Sequence, residues 1–436
     1  MSTRIFAPRR AAQIGSMVVV AALALTACGS SNKSGGSTNT ADSPSTGSGS
    51  GLTGTPIKIG YIASESGPQA QNGIAAAGVA HAWQAYTNAH GGILGHPVDI
   101  VMTDSQNTVP GATSAAKSFL ADSSIDAIMM TDLVAEGALN STFANTPVAV
   151  LSGGGSSDIF WSHVPGAFQD VSGSDYTIKA YVDQAKAGGA TKFGWAACAE
   201  VAVCAANGDI AMKYASSIGL QAEGVQQFSA SASDYTAQCL AFIDKGTDSI
   251  AFNIGYPVGQ RVATNCIQQG YKGAFSVMNS GFDQKTFSGV SGFKGVGSSN
   301  GFPWWSTNPA VQTYVSAMKQ YSPSTTYSSG NSTSIWSTFE LLKKALENTK
   351  PTTINRQTVM DAMYSIKNET LGGLLPQPIT YTKGKPSTPV GCSWFFKFNA
   401  GDANPTSIAP AKSGNGASGD LASTCAGYLP ASNYGG

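Results

Sequence analysis

From Ile57 to Met278 the chain alternates short β-branched or aromatic runs with longer helical segments, and few folds accept that rhythm. The first series has strands at Ile57–Ala63, Val98–Thr103, Ile125–Met130 and around Val148–Leu151. Between them lie a helix carrying Val79, Trp83 and Tyr86 on one stripe, a helix over Pro110–Ala121 and another over Glu136–Phe143. The second series places strands at Lys192–Ala197, Gln221–Phe228, Ser249–Ile254 and Phe275–Met278. Its helices are Tyr176–Ala187, Ala206–Ser217, Tyr235–Lys245 and Gly259–Gln269. Strands separated by helices pair in parallel, with the helices covering both faces. The expected fold is therefore α/β, with two doubly wound parallel-sheet lobes. Residues 308–367 read as mainly helical, and the Pro/Gly-rich tail carries one strand, Ser393–Phe398. A cleft between two lobes is the default binding site.

The fourth strand of the first series opens straight into glycines, Pro147-Val148-Ala149-Val150-Leu151-Ser152-Gly153-Gly154-Gly155-Ser156-Ser157. Glycine has no Cβ, so a ligand can approach such a backbone closely. Its free N–H groups suit an anion or a polar oxygen, and α/β sheets bind ligands at the carboxyl ends of their strands. Ser152, Gly153, Gly154, Gly155 and Ser156 are thus candidate ligand contacts.

Arg4, Arg9 and Arg10 precede an uncharged apolar stretch, Ile14–Ala27, too short to span a bilayer and suited to a signal-peptide core. It ends Leu25-Thr26-Ala27-Cys28-Gly29-Ser30, which resembles the lipobox of bacterial lipoproteins. That resemblance implies cleavage of residues 1–27 and lipidation of Cys28, with a plain secretory peptide as the alternative. Arg9-Arg10 fits a twin-arginine signal poorly. Ser30–Thr55, almost all Ser, Gly, Thr and Asn, has too little apolar surface to order and reads as part of a 28–55 tether. Removing the three leader arginines from 25 basic residues leaves 22 against 25 acids, a net charge of −3. That, with no basic run, argues against nucleic acid as a partner.

Six further cysteines fit disulfides in an exported chain, and 15 pairings are open to them. Pairing of neighbours is the expectation: Cys198 with Cys204, Cys239 with Cys266, Cys392 with Cys425. No C-x2-C spacing supports a zinc site, and no metal or cofactor is expected.

Ser66-Gly67-Pro68, then Thr87-Asn88-Ala89-His90-Gly91-Gly92-Ile93-Leu94-Gly95, then a strand ending at Asp104, form a recognisable series. Over residues 57–400 the chain resembles the type I periplasmic binding proteins, in particular the branched-chain amino-acid receptors that serve ABC importers. The resemblance implies a three-strand hinge, with lobe one at 56–171 and 302–372 and lobe two at 172–301 and 373–436. It also implies a small-molecule ligand, an ABC permease as partner, and a monomer held on the extracytoplasmic face of the cell membrane.

The family pocket carries over in part. Gly153-Gly154-Gly155 stands where a small-small-threonine series holds the α-carboxylate, with Ser152 or Ser156 as substitutes for the threonine. The preceding loop, usually offering serines, reads Thr131-Asp132-Leu133. Ser66, Gln71 and Asn72 follow the first strand, Asn72 at the place of a frequent aromatic, and Tyr256 matches a pocket tyrosine. The acid that pairs with the ligand ammonium falls near Ser280, where no acid is present. Either Asp132, Glu65 or Glu200 replaces it, or the ligand is not an α-amino acid; a small carboxylate or amide is the favoured expectation. Trp161, Trp304 and Trp305 are read either as stacking surfaces or as core and hinge packing.

Enzyme readings are weaker. Gly297-Ser298-Ser299-Asn300-Gly301 fits G-x-S-x-G, but it sits in a Gly/Ser-rich stretch read as a loop. His81, His90, His96 and His163 all precede it, the reverse of the order that fold requires. Asp104, Asp132 and Glu136 can be drawn as a metal cluster, yet carboxylates at strand ends are more often caps. The reading is a lipid-anchored solute receptor, with a ligand sensor signalling through a membrane partner as the alternative and a hydrolase as a distant third.

Overall fold

The structure, a computed structural model, describes residues 51–67, 70–132, 135–154, 158–200, 202–278 and 287–425. The leader and Cys28 lie outside the described residues. Among those described, no helix is long and apolar enough to cross a membrane.

The first sheet is built from β1 (Ile57–Ala63), β2 (Val98–Asp104), β3 (Ala127–Thr131), β4 (Ala149–Leu151) and β5 (Ala167–Phe168), in the order β2-β1-β3-β4-β5 and parallel throughout. Its strands are joined through α1 (Ala70–Ala89), α2 (Val109–Ala121), α3 (Asn140–Phe143) and α4 (Asp158–Trp161). The α1 stripe is as expected: Val79 and Trp83 are buried and Tyr86 packs against the same core. Thr108 caps α2 by accepting from the Gly111 N–H at 3.1 Å, with Pro110 in the first turn where no donor is lost.

The second sheet contains β6 (Lys192–Cys198), β7 (Gln221–Phe228), β8 (Ser249–Asn253), β9 (Ala274–Met278) and β10 (Lys294–Ser299), all parallel. They are connected through α5 (Ser174–Ala187), which precedes β6, and α6 (Ala202–Ser217), α7 (Thr236–Ile243) and α8 (Tyr256–Gln268). Helices α9 (Pro309–Tyr321), α10 (Gly330–Thr349) and α11 (Arg356–Tyr364) return to the first sheet's side, where α9 and α10 pack on α1. Trp83 stacks on Phe339 at 4.7 Å, and its Nε1 donates to Glu340 at 2.7 Å. Arg356 donates to the carbonyls of Phe119, Leu120, Asp122 and Ile125, pinning α11 to the end of α2. The chain then crosses again, and β11 (Cys392–Asn399) joins β10 antiparallel, flanked by β12 (Thr406–Ser407) and β13 (Thr424–Cys425). Three segments thus pass between the sheets: from β5 to α5, from β10 to α9, and from α11 to β11.

The three disulfides join Cys198 to Cys204, Cys239 to Cys266 and Cys392 to Cys425. The second links α7 to α8, and the third fastens β13 to β11.

One element departs from expectation. Residues 294–299 form strand β10, although 297–299 read as part of a Gly/Ser-rich loop. The apolar cover comes from the partner strand: a Cβ on Gly295 would lie 2.3 Å from the Phe398 ring, and one on Gly297 2.4 Å from that of Phe396. Glycine is what leaves room for the β11 rings over β10. The first three residues of the G-x-S-x-G match therefore end a sheet strand, with Ser298 Oγ donating to the Met278 sulfur and Ser299 Oγ to the Gly301 carbonyl. Smaller differences are the short α4 and β5, which were not anticipated, the extra tail strands β12 and β13 beside the one expected, and Glu136–Phe143, a 3-10 turn followed by the short α3.

The two sheets repeat one local design. Lys58-Ile59-Gly60-Tyr61 in β1 matches Lys192-Phe193-Gly194-Trp195 in β6. Asp126, just before β3, accepts from the Lys58 N–H at 3.0 Å and returns its own N–H to the Lys58 carbonyl at 2.8 Å. Asp248, just before β8, does the same with Lys192 at 2.9 and 3.0 Å. Two residues on, Gly60 and Gly194 leave room for the Phe119 and Phe242 rings, each within 2.7 Å of where a Cβ would stand.

Candidate functional site

Four loops meet at the carboxyl ends of the first sheet. After β1, Gly67 has φ +88°, and a Cβ there would stand 2.6 Å from the Gln106 carbonyl of the loop after β2. Ser66 Oγ donates to Asp104 at 2.6 Å, and the Gln106 N–H to the same carboxylate at 2.8 Å. These donors hold the Asp104 carboxyl below its ordinary value although desolvation pulls the other way. Burial, then Asp104's charge, push the neighbouring Glu65 carboxyl up. After β3, Asp132 is buried and accepts from Ser105 Oγ, from Asn107 Nδ2 at 3.2 Å and from the Ala135 N–H at 3.3 Å.

The loop after β4 is the best-built of the four. Ser152 is fully buried, Gly153 has φ +47° and Gly154 φ +94°. Thr131 Oγ1 donates to the Gly153 carbonyl at 2.5 Å, so the hydrogen of its 2.7 Å bond with Tyr61 belongs to Tyr61. This relay fixes the loop to β1 and β3. A Cβ on Gly154 would stand 2.8 Å from Asn331 Oδ1 and 3.2 Å from Ser334 Oγ. The glycine loop therefore lies against the first turns of α10. Gly301, on the second crossing, packs there too, with Gly330, Thr333 and Ser334 within 2.6 Å of its would-be Cβ.

That half of α10 is unusual. Asn331, Ser332, Thr333, Ser334, Ser337 and Thr338 are all buried polar residues. Asn331, which places an amide against the glycine loop, was not among the sequence candidates. The signal was present in the run Ser329-Gly330-Asn331-Ser332-Thr333-Ser334, since such residues favour caps and turns over a helix interior and need a packing reason to be there. The crossings add buried polar atoms with no partner among the described residues: Gln169 Nε2 and Oε1, Asn300 Oδ1 and Trp304 Nε1. Such groups cost free energy unless a bound polar molecule or an ordered water meets them.

The other sequence candidates are dispersed. Leu133, Gly155, Ser156 and Ser280 lie outside the described residues. Gln71 and Asn72 fall in the first turn of α1, and Tyr256 opens α8 after β8. Glu200 follows β6, exposed, and accepts from Ser229 Oγ at 2.9 Å and the Ala230 N–H at 2.6 Å, which hold its carboxyl below the usual range. Trp161 is buried beside Phe160 and donates to Glu136 at 3.1 Å, well within the core of the first sheet. Trp304 and Trp305 meet edge to face at 4.7 Å, and Trp305 Nε1 donates to Ser407 at 3.0 Å, bracing the second crossing against the second sheet. Asp104, Asp132 and Glu136 are each engaged separately, by Ser66, Ser105 and Trp161.

A profile of the periplasmic binding protein family matches residues 56–403. No match was found among curated proteins. Among solved structures, the leucine-binding protein LivK from Thermotoga maritima is 15% identical, with a TM-score of 0.62 over 80% of this chain and 97% of that one. The branched-chain amino-acid transporter substrate-binding protein LivJ from Streptococcus pneumoniae, solved with isoleucine, is also 15% identical, with a TM-score of 0.59 over 81% of this chain and 99% of the other. A fatty acid ABC transporter substrate-binding protein from Thermomonospora curvata is 16% identical, with a TM-score of 0.60 over 83% and 93%. A family profile spanning most of the chain, together with two parallel sheets linked by three crossings, makes this chain a member of the periplasmic binding protein family, with the type I fold found in substrate-binding proteins of branched-chain amino-acid ABC transporters.

Proposed function

We propose that the protein is a lipid-anchored extracytoplasmic receptor that captures a small polar organic molecule between its lobes, 56–171 with 302–372 and 172–301 with 373–436, and delivers it to an ABC importer. The observation that carries this reading is the Ser152–Gly154 loop, whose two positive-φ glycines bring backbone to the strand ends beside Asn331. A carboxylate or amide oxygen is the group such backbone donors suit. The acids offered as partners for a ligand ammonium support a ligand without one. The carboxylates of Asp132 and Glu200 already accept from neighbouring donors, and Glu65 sits in the field of Asp104. An enclosed ammonium without a counter-charge costs several kcal/mol. Solved relatives described with isoleucine and as a fatty-acid receptor set the range of ligands to try.

The test is a thermal-shift screen of the protein carrying Cys28→Ala, against branched-chain amino acids, short and long carboxylates, amides and sugars. A ligand at about 100 times its dissociation constant adds roughly 2.7 kcal/mol of stability, a rise of a few degrees. Carboxylates or amides are expected to stabilise; stabilisation by leucine, isoleucine or valine alone overturns the ligand class. Cys28→Ala is also expected to free the protein from the membrane fraction, and continued retention removes the lipid anchor from the proposal.

A further inference from the structure

Asp170 lies on the first crossing segment with its side chain fully buried, and no basic side chain among the described residues bonds to it. Its Oδ1 accepts from Ser152 Oγ at 2.5 Å and from Thr338 Oγ1 at 3.0 Å, and its Oδ2 from Thr338 at 2.9 Å. One carboxylate thus joins three parts: the crossing itself, the start of the glycine loop, and the α10 turn that follows Asn331 and Ser334. The third crossing is tied in at the preceding residue, where Tyr381 donates to the Gln169 carbonyl at 3.0 Å and Ser387 Oγ accepts from the Gln169 N–H at 3.0 Å.

Thr338 has one hydroxyl hydrogen and two acceptors for it, Asp170 and, at 3.0 Å, the Ser334 carbonyl of its own helix. With Asp170 ionised, Ser152 and Thr338 both donate to it. When Asp170 takes up a proton, its O–H becomes a donor and needs an acceptor. Thr338 Oγ1 can fill that role only by turning its hydrogen to Ser334, and Ser152 then loses a charged acceptor. The groups facing Asp170 are Ser152 from the β4 loop, Thr338 from α10 and Tyr381 from the third crossing. Burial and Asp170's charge drive the Tyr381 hydroxyl far above its ordinary range. Asp170 is therefore the group of this cluster that titrates near neutrality, and burial pushes it up to about 6.

We propose that Asp170 is a positioning residue that clasps the glycine loop to the hinge when ionised and lets it go when protonated, making the ligand cradle sensitive to protons. Its effect on ligand capture rests on the function proposed above, whereas the clasp itself does not. The test accordingly uses no ligand. Hydrogen–deuterium exchange is followed by mass spectrometry on the full chain in detergent, between about pH 5 and about pH 8 and corrected for intrinsic exchange, in peptides covering residues 149–154 and 330–338. Protection of the 149–154 backbone is expected to rise about tenfold through the Asp170 titration in the wild type and to stay flat in Asp170→Asn. Ser152→Ala is expected to flatten residues 149–154 while leaving the response of α10, a split that general loosening would not give. A flat wild-type profile, or the same slope in Asp170→Asn, overturns the proposal. If Asp170→Asn does not fold, Ser152→Ala decides it, and an unchanged slope there is equally fatal.

Discussion

Gly154 shows how little room the candidate site leaves. Its φ of +94° is a conformation that side chains rarely adopt, and a Cβ would collide with the Asn331 amide. Gly154→Ala is expected to cost about 1–3 kcal/mol, read as a lower melting temperature, and to abolish any ligand-induced shift. Asp170 has an effect on stability separate from its effect on the loop. Its folded carboxyl titrates at about 6 against an ordinary 3.8. Between those values the folded state holds the proton that the unfolded chain has released, so stability falls as pH rises across this window and stays flat above it. A difference of that size corresponds to roughly 3 kcal/mol. The melting temperature of Asp170→Asn relative to wild type is therefore expected to be higher near neutral pH than near pH 4; an identical difference at both would contradict it. Residues 152–154 were legible in the sequence because a strand running into glycines is a local pattern. Gln169 and Asp170 were not, because their roles come from contacts with parts of the chain far away in sequence; for Asn331 the polar run 329–334 marked the helix start, but not that it faces the glycine loop.

At the scale of elements, strands and helices with their own alternation were readable, and those that borrow their apolar cover were not. β1, β6 and β7 match their expected bounds to within a residue, and β1 and β6 carry their own buried side chains along nearly their whole length. β10 was hidden because Phe396 and Phe398 of β11 supply what Gly295 and Gly297 lack. The repeated Lys-x-Gly-aromatic element was in plain view, but its meaning depends on Asp126 and Asp248 from neighbouring strands. Asp248 accepts four hydrogen bonds, from the Thr191 N–H to both of its oxygens, from Thr191 Oγ1 and from the Lys192 N–H. Asp248→Ala is expected to destabilise by about 1–3 kcal/mol and to raise amide exchange at residues 191–193 with little effect on the first sheet. Equal loosening of both sheets would mean that the two modules are not independent.

At the scale of the whole molecule, the sequence conveyed two α/β series and a late helical block, and the resemblance to a known family supplied the hinge. Periodicity alone could not say that α9–α11 belong beside α1, because no local pattern records which earlier helix a later one covers. The structure makes that return concrete through Trp83 on Phe339 and Arg356 on the end of α2. It also carries a consequence for the order in which the chain is made. A chain synthesised from its N-terminus has the first sheet's strands by Phe168, yet Trp83 has no ring to stack on until Phe339 follows. The second sheet has β10 by Ser299, but the Phe396 and Phe398 rings that cover its glycines arrive almost a hundred residues later. Neither half can be finished before the other has begun. A chain halted after Ser299 and before Phe339 holds two unfinished faces at once, the ring of Trp83 and the glycine face of β10, and such uncovered surface is what aggregation and proteolysis act on.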